Sequence, residues 1–207
     1  MSAHTASFRS RGMTLLELLG VILVCFILWS FIFPASETMV RNGRRRQAAA
    51  DVHMLATAVL AYRQEYGFFP GQDGNWDSDI VYLPEECTAP GTLNAVDAKR
   101  LLQCLSNTNE VDNPRAVLFL EDLPSRMVDD VFKDPWGDPY VVVADGNADG
   151  WIGESDTAGN IVSAFDVTDT TFAGNRRHEV PGIRERVYVF SWGDSYTNSI
   201  STAEAPK

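Results

Sequence analysis

The sequence predicts an α+β fold: a long N-terminal helix whose second half packs on a small antiparallel sheet carrying calcium-type loops. Three observations predict it. Residues 13–33 are nearly unbroken apolar sequence, about twenty residues, which as a helix would cross a bilayer core of roughly 30 Å. Ala48, Val52, Leu55, Val59, Tyr62 and Tyr66 then repeat at spacings of four and three, one apolar stripe on a helix. Further on, Val141-Val142-Val143 and Val187-Tyr188-Val189-Phe190 are β-branched and aromatic runs behind turn residues, which read as strands.

The apolar run holds one charge, Glu17. An ionised side chain in a membrane helix costs roughly 2.5–3.5 kcal/mol on insertion scales, so it marks a function or a partner unless it reaches the headgroups. A secretory signal peptide fits poorly. Its apolar run would be shorter, and Phe33-Pro34-Ala35-Ser36 lacks the small-residue spacing of a cleavage site.

Gly12-Met13-Thr14-Leu15-Leu16-Glu17-Leu18 resembles the leader motif of type IV prepilins and type II secretion pseudopilins, with Met13 where Phe is usual. The resemblance implies a pilin-like fold and a prepilin leader over 1–12. It implies cleavage between Gly12 and Met13 by prepilin peptidase on the cytoplasmic side, and N-methylation of Met13. Glu17 would be an assembly residue, neutralising the terminal amine of a neighbouring subunit in a filament. A carboxylate in an apolar bundle needs such a cation. Pro34 lies where many members carry a helix-kinking proline.

The formal charge of −11 disfavours nucleic acid as a partner and suits a calcium-binding or well-solvated domain outside the cytoplasm. Arginine placement argues otherwise. Arg41, Arg44, Arg45 and Arg46 follow the span while only Arg9 and Arg11 precede it, which by the positive-inside rule would leave the large domain in the cytoplasm. The leader motif fixes the opposite orientation. The expected organisation is a leader at 1–12, a transmembrane half-helix at 13–33, an amphipathic half-helix at 34–66 and a periplasmic globular domain at 67–207.

The helix is expected to run to Tyr66, where Gly67-Phe68-Phe69-Pro70-Gly71 stops it. His53 sits beside the stripe with no ligand-spaced partner and reads as structural or surface. Residues 72–91 read as an irregular loop. Asn94 is the expected cap of a second helix, with Asp97 in its first turn and Ala98, Leu101, Leu102 and Leu105 as its buried face. Cys87 and Cys104 flank this region. In an oxidising compartment they could pair, closing a loop worth roughly 3 kcal/mol; two buried thiols is the other reading. Ala116-Val117-Leu118-Phe119-Leu120 is a short strand or a packed connector.

Asp134-Pro135-Trp136-Gly137-Asp138-Pro139-Tyr140 reads as a tight turn entering a strand. It resembles the signature of the major, G-type pseudopilin of type II secretion, and Ser191-Trp192-Gly193-Asp194 is similar to the Ser-x-Gly-x-Asp ending of that family. The leader motif and this turn, in the family's order, support one another.

Residues 145–156 carry the clearest ligand pattern. Asp145, Asn147 and Asp149 occupy loop positions one, three and five, Gly150 position six and Asp156 position twelve, with the Trp151 carbonyl between them. Alternate oxygen donors around a glycine turn are what a calcium loop needs to wrap a hard cation. Asp in place of Glu at the last position resembles dockerin loops, and no helix pair is expected on either side. The family's own calcium site implies another set: Asp166, Asp169, Ser191 and Asp194. Arg176-Arg177-His178 reads as a solvated loop.

No nucleophile, metal-hydrolase, redox or phosphate-loop motif is present, which argues against an enzyme. The expected function is that of a structural subunit of a type II secretion pseudopilus, a filament polymerised at the inner membrane to drive protein export. Its partners would be copies of itself, other pseudopilins, prepilin peptidase and the inner-membrane assembly platform. The alternatives are a type IV pilin for adhesion, motility or DNA uptake, and a membrane-anchored calcium-dependent binding module.

Overall fold

The computed structural model describes residues 14–74, 76–85, 87–91, 93–120, 127–128, 131–155, 161–170, 176–193 and 199–202; the side chains of 31–36, 128, 154–155 and 161–163 also fall outside that set. The chain divides into two units, Met1–Gly43 and Arg44–Lys207.

Helix α1 covers Leu15–Tyr66 and contributes to both units. In the first, its apolar side chains are exposed, Leu15 at 85% and Phe26 at 73%. Among the described residues no helix is long and apolar enough to cross a membrane. The expected span over 13–33 includes Met13, which lies outside the described residues, and 31–33, whose side chains do.

In the second unit the predicted stripe is the core face of α1. Ala48, Val52, Leu55, Val59 and Tyr62 are buried, Tyr66 is half-buried, and His53 is exposed. The helix ends where the Gly67 amide donates to the Arg63 carbonyl at 2.8 Å, with Gly67 at a φ of 83° that favours glycine.

Strands β1 (Ile80–Leu83), β2 (Cys87–Thr88) and β3 (Asn94–Asp97) follow, then helix α2 (Ala98–Leu105). Beyond α2 lie β4 (Met127–Val128), β5 (Val131–Phe132), β6 (Val141–Ala144), β7 (Glu154–Ser155) and β8 (Ile161–Ser163). The last four are β9 (Phe165–Asp169), β10 (Arg176–Val180), β11 (Val187–Ser191) and β12 (Ile200–Ser201). The main sheet has the order β12-β11-β6-β1-β3, and a second runs β10-β9-β2.

Residues 72–91, expected as an irregular loop, hold β1 and β2, and two further expectations change. The main sheet is mixed, because β3 pairs parallel to β1 after the chain has left for β2 in the other sheet and returned. Asn94 opens that strand instead of capping a helix. Asp97 caps α2, accepting from the Lys99 amide at 2.8 Å, while Ala98, Leu101, Leu102 and Leu105 form the buried face as expected. Residues 116–120 are a connector, with the Phe119 and Leu120 amides both donating to the Leu105 carbonyl.

Alternation along the strands makes the main sheet a middle layer. Ile80, Tyr82, Val142, Ala144, Val187 and Val189 pack with α1 and α2 in one core cluster. Val81, Leu83, Val141, Val143, Tyr188 and Phe190 face a second cluster with β9, β10 and Ile152. Strands buried on both faces read as continuous apolar runs, which is why these segments show no polar alternation.

Candidate functional site

At the start of α1, Thr14 acts as the cap: its Oγ1 accepts from the Glu17 amide at 3.3 Å and its carbonyl from the Leu18 amide at 3.1 Å. Glu17 is exposed in the first turn, where the helix dipole favours a carboxylate. Gly12 and Met13, the expected cleavage and methylation positions, lie outside the described residues.

The acidic loop leaves the end of β6. Asp145 is 1% exposed, its Oδ2 accepts from the Gly150 amide at 3.2 Å, and its Oδ1 has no hydrogen-bond partner. Thus positions one and six of the predicted loop meet. Asn147 and Asp149 satisfy one another and the local backbone: Asn147 Oδ1 accepts from the Asp149 amide at 3.1 Å, and Asp149 Oδ1 from the Trp151 amide at 2.8 Å. Asp156, the expected closing ligand, lies outside the described residues. Among the described residues no three His, Cys, Asp or Glu side chains are grouped so as to hold a metal.

The fold brings to this loop a carboxylate that the spacing did not suggest. β1 and β6 pair antiparallel with Ile80 opposite Ala144, so one step further the register sets Asp79 against Asp145. Asp79 is 2% exposed; its Oδ2 accepts from the Gly153 amide at 2.9 Å and its Oδ1 has no partner. The approach is close. A Cβ on Gly146 would lie 2.6 Å from the Ser78 carbonyl oxygen, so that loop position requires glycine. Burial pushes Asp79 up to about 7, and the charges of Asp145 and Asp149 push the same way. Asp145 is raised too, by burial and then by Asp149, while the Arg63 guanidinium opposes the shift.

Gln72 buttresses the loop. Buried at 2% exposure, it accepts from the Phe69 amide at 2.9 Å and donates from Nε2 to the Gly146 carbonyl at 2.7 Å. The residues that stop α1 thereby hold the loop's first turn.

The turn over 134–140 is built around Asp134. Its Oδ1 accepts from the Trp136 and Asp138 amides, both at 2.9 Å, and its Oδ2 from Ser191 Oγ at 2.6 Å. Gly137 at φ 98° closes the turn. Tyr140 stacks on Phe132 and donates to Asp51 on α1 at 2.7 Å, and Asp138 pairs with Arg176. The motif is a three-way junction between the long helix, the last long strand and the second sheet. Arg176, Arg177 and His178 are accordingly strand residues and not a solvated loop: His178 lies 3.8 Å from the Phe190 ring and 3.0 Å from the Tyr188 hydroxyl.

Three members of the second expected ligand set lie among the described residues. Ser191 is committed to Asp134. Asp166 and Asp169 stand three positions apart on β9 and point to opposite faces, Asp166 exposed beside Arg177 and Asp169 buried. Asp194 lies outside the described residues. The expected disulfide does not form. Cys87 belongs to the second core cluster and Cys104 to the first, on opposite faces of the main sheet, and both are buried. Burial, with the Asp112 charge adding, pushes Cys104 up to about 12.

Asp79, Gln72 and Asp51 are the residues that sequence reasoning missed. Asp79 stands just before β1, a strand inside the 72–91 stretch that reads from sequence as an irregular loop, among several equal acidic candidates. Asp51 sits next to the stripe residue Val52, a polar residue on a core face, and that was a readable signal.

No family model matches the chain, and no solved structure matches it. The chain is similar to the type II secretion system core protein G of Escherichia coli (strain K12), 25% identical over 141 residues, which is 68% of this chain and 77% of that protein.

Proposed function

We propose that this protein is a structural subunit of a type II secretion pseudopilus, made as a prepilin and polymerised at the inner membrane. The observation that carries the reading is helix α1. Its N-terminal unit exposes a continuous apolar surface, from Leu15 to Trp29, around one carboxylate, Glu17. Exposed apolar surface of that extent calls for lipid or like helices. The similarity to a core secretion protein, and the junction role of the 134–140 motif, point the same way.

In this reading, cleavage between Gly12 and Met13 and methylation of Met13 prepare the helix. Residues 13–33 hold the subunit in the inner membrane, with the remainder in the periplasm. On assembly the apolar half-helices bundle in the filament, and Glu17 meets the terminal amine of a neighbour. Copies of itself, other pseudopilins, prepilin peptidase and the assembly platform are its partners. The role is mechanical, not catalytic.

Intact mass and N-terminal peptide mapping test it, on chain expressed with and without a prepilin peptidase. The expected product is a chain beginning at N-methylated Met13. A chain that keeps Arg11-Gly12 beside active peptidase overturns the proposal.

A further inference from the structure

Arg41, Arg44, Arg45 and Arg46 stand within six positions of α1, between the apolar run and Ala48, where the buried stripe begins. From Thr38 to Ala50 the chain carries no acidic side chain, although its formal charge is −11. Arg45 is half-buried, whereas Arg41, Arg44 and Arg46 are exposed, and the side chains of these three make no ion pair or hydrogen bond among the described residues. The acids that flank the stretch stand apart from them: Glu37 is exposed, and Asp51 is buried and accepts from the Tyr140 hydroxyl. Like charges one helical turn apart repel, so the cluster needs a counter-charge from outside the chain.

We propose that these arginines form a collar that binds the phosphates of anionic phospholipids, at the leaflet from which the domain emerges. The inference rests on the membrane anchor of the proposed function. Ten residues separate Phe33 from Arg44, roughly 15 Å of helix, and helical side chains lean back toward the N-terminus. The guanidiniums thus come within about a Debye length, roughly 8–10 Å, of the headgroup layer. At about 100° per residue the four arginines spread over roughly 200° of the helix circumference. A neighbouring protein presses on one side of a helix, whereas a headgroup layer surrounds it, and the spread therefore favours lipid. Guanidinium forks also match phosphate oxygens bidentately. The rest of the chain is acidic and is repelled by an anionic surface, so the collar is the part of the domain that meets the membrane. It gives the arginines a reason to follow the span instead of preceding it.

The test reconstitutes the full chain in vesicles of phosphatidylcholine with a minority of phosphatidylglycerol. Polymer-bounded discs holding the chain are then cut from the vesicles, and their lipids are quantified by mass spectrometry. Discs with the wild-type chain should be enriched in phosphatidylglycerol about twofold or more over empty discs, and high salt during reconstitution should remove the enrichment. The triple variant Arg41→Gln, Arg44→Gln, Arg46→Gln should lose it, and the matching triple change to Lys should keep most of it, since charge is retained. Both variants should melt at the wild-type temperature, because the three side chains are exposed and support nothing in the fold; this separates a lost site from a lost fold. A wild-type chain that enters the bilayer without enriching phosphatidylglycerol overturns the proposal, and so does a Gln variant that enriches it as wild type does. Absent enrichment together with weaker self-crosslinking of the Gln variant in pure phosphatidylcholine assigns the arginines to an acidic face of a second copy and also overturns it. A chain that stays out of the vesicles altogether removes the membrane anchor itself, so the failure of that reading is told apart from the failure of the collar.

Discussion

Ser191 donates its hydroxyl to Asp134 Oδ2 at 2.6 Å, joining the end of the last long strand to the turn that feeds β6. Both residues are buried, at 0% and 3% exposure, and two backbone amides hold the other oxygen of Asp134. The two sequence motifs that share a family resemblance are thus two sides of one hydrogen-bonded junction.

Asp134→Ala should therefore destabilise the fold by about 3 kcal/mol, since it removes three acceptor contacts and leaves two amides and a hydroxyl to find others. Ser191→Ala should cost less, about 1–2 kcal/mol, the loss of one donor to Asp134 and one acceptor for the Gly193 amide. Urea midpoints of the two variants check the ranking, and equal effects would contradict it.

His178 sets a pH dependence. Burial pushes its imidazole down to about 4, with the nearby Asp166 charge opposing. The folded state then binds fewer protons than the unfolded one between about 4 and 6.5. Stability from this group is complete above 6.5 and falls as the pH drops through that window, by at most about 1.4 kcal/mol per unit. His178→Phe keeps the stack on Phe190 and removes the titration, so the difference in urea midpoint between it and wild type should change from pH 7 to pH 5. A constant difference would show that His178 does not titrate there.

Both domain cysteines should be thiols in protein isolated under oxidising conditions. Denaturation and alkylation without reductant should label Cys25, Cys87 and Cys104, and reductant should leave Tm unchanged. A mass two units low and a missing label on Cys87 and Cys104 would mean that the sheet does not separate them.

Glu17→Ala should leave membrane association intact while abolishing filament assembly, scored by fractionation and by crosslinking of subunits. The helix keeps its apolar surface but loses the counter-charge for a neighbour's amine. Normal assembly of this variant would remove Glu17 from the mechanism.

The sequence by itself determined much of this protein. The stripe from Ala48 to Tyr62, the stop at Gly67, the face of α2, strands β6 and β11 and the turn around Gly137 were all legible, because each follows from local periodicity or from backbone conformations few residues adopt. Tertiary structure decided what lies opposite what. Asn94 became a strand because β1 offered it a parallel edge, and local capping rules do not see an edge. Cys87 and Cys104 were parted because β2 joins the second sheet while α2 packs on the other face of the main sheet. Asp79 reached Asp145 across 66 positions of sequence only through the β1–β6 register, and pairing between distant strands is set by packing of the whole core, which no local window contains.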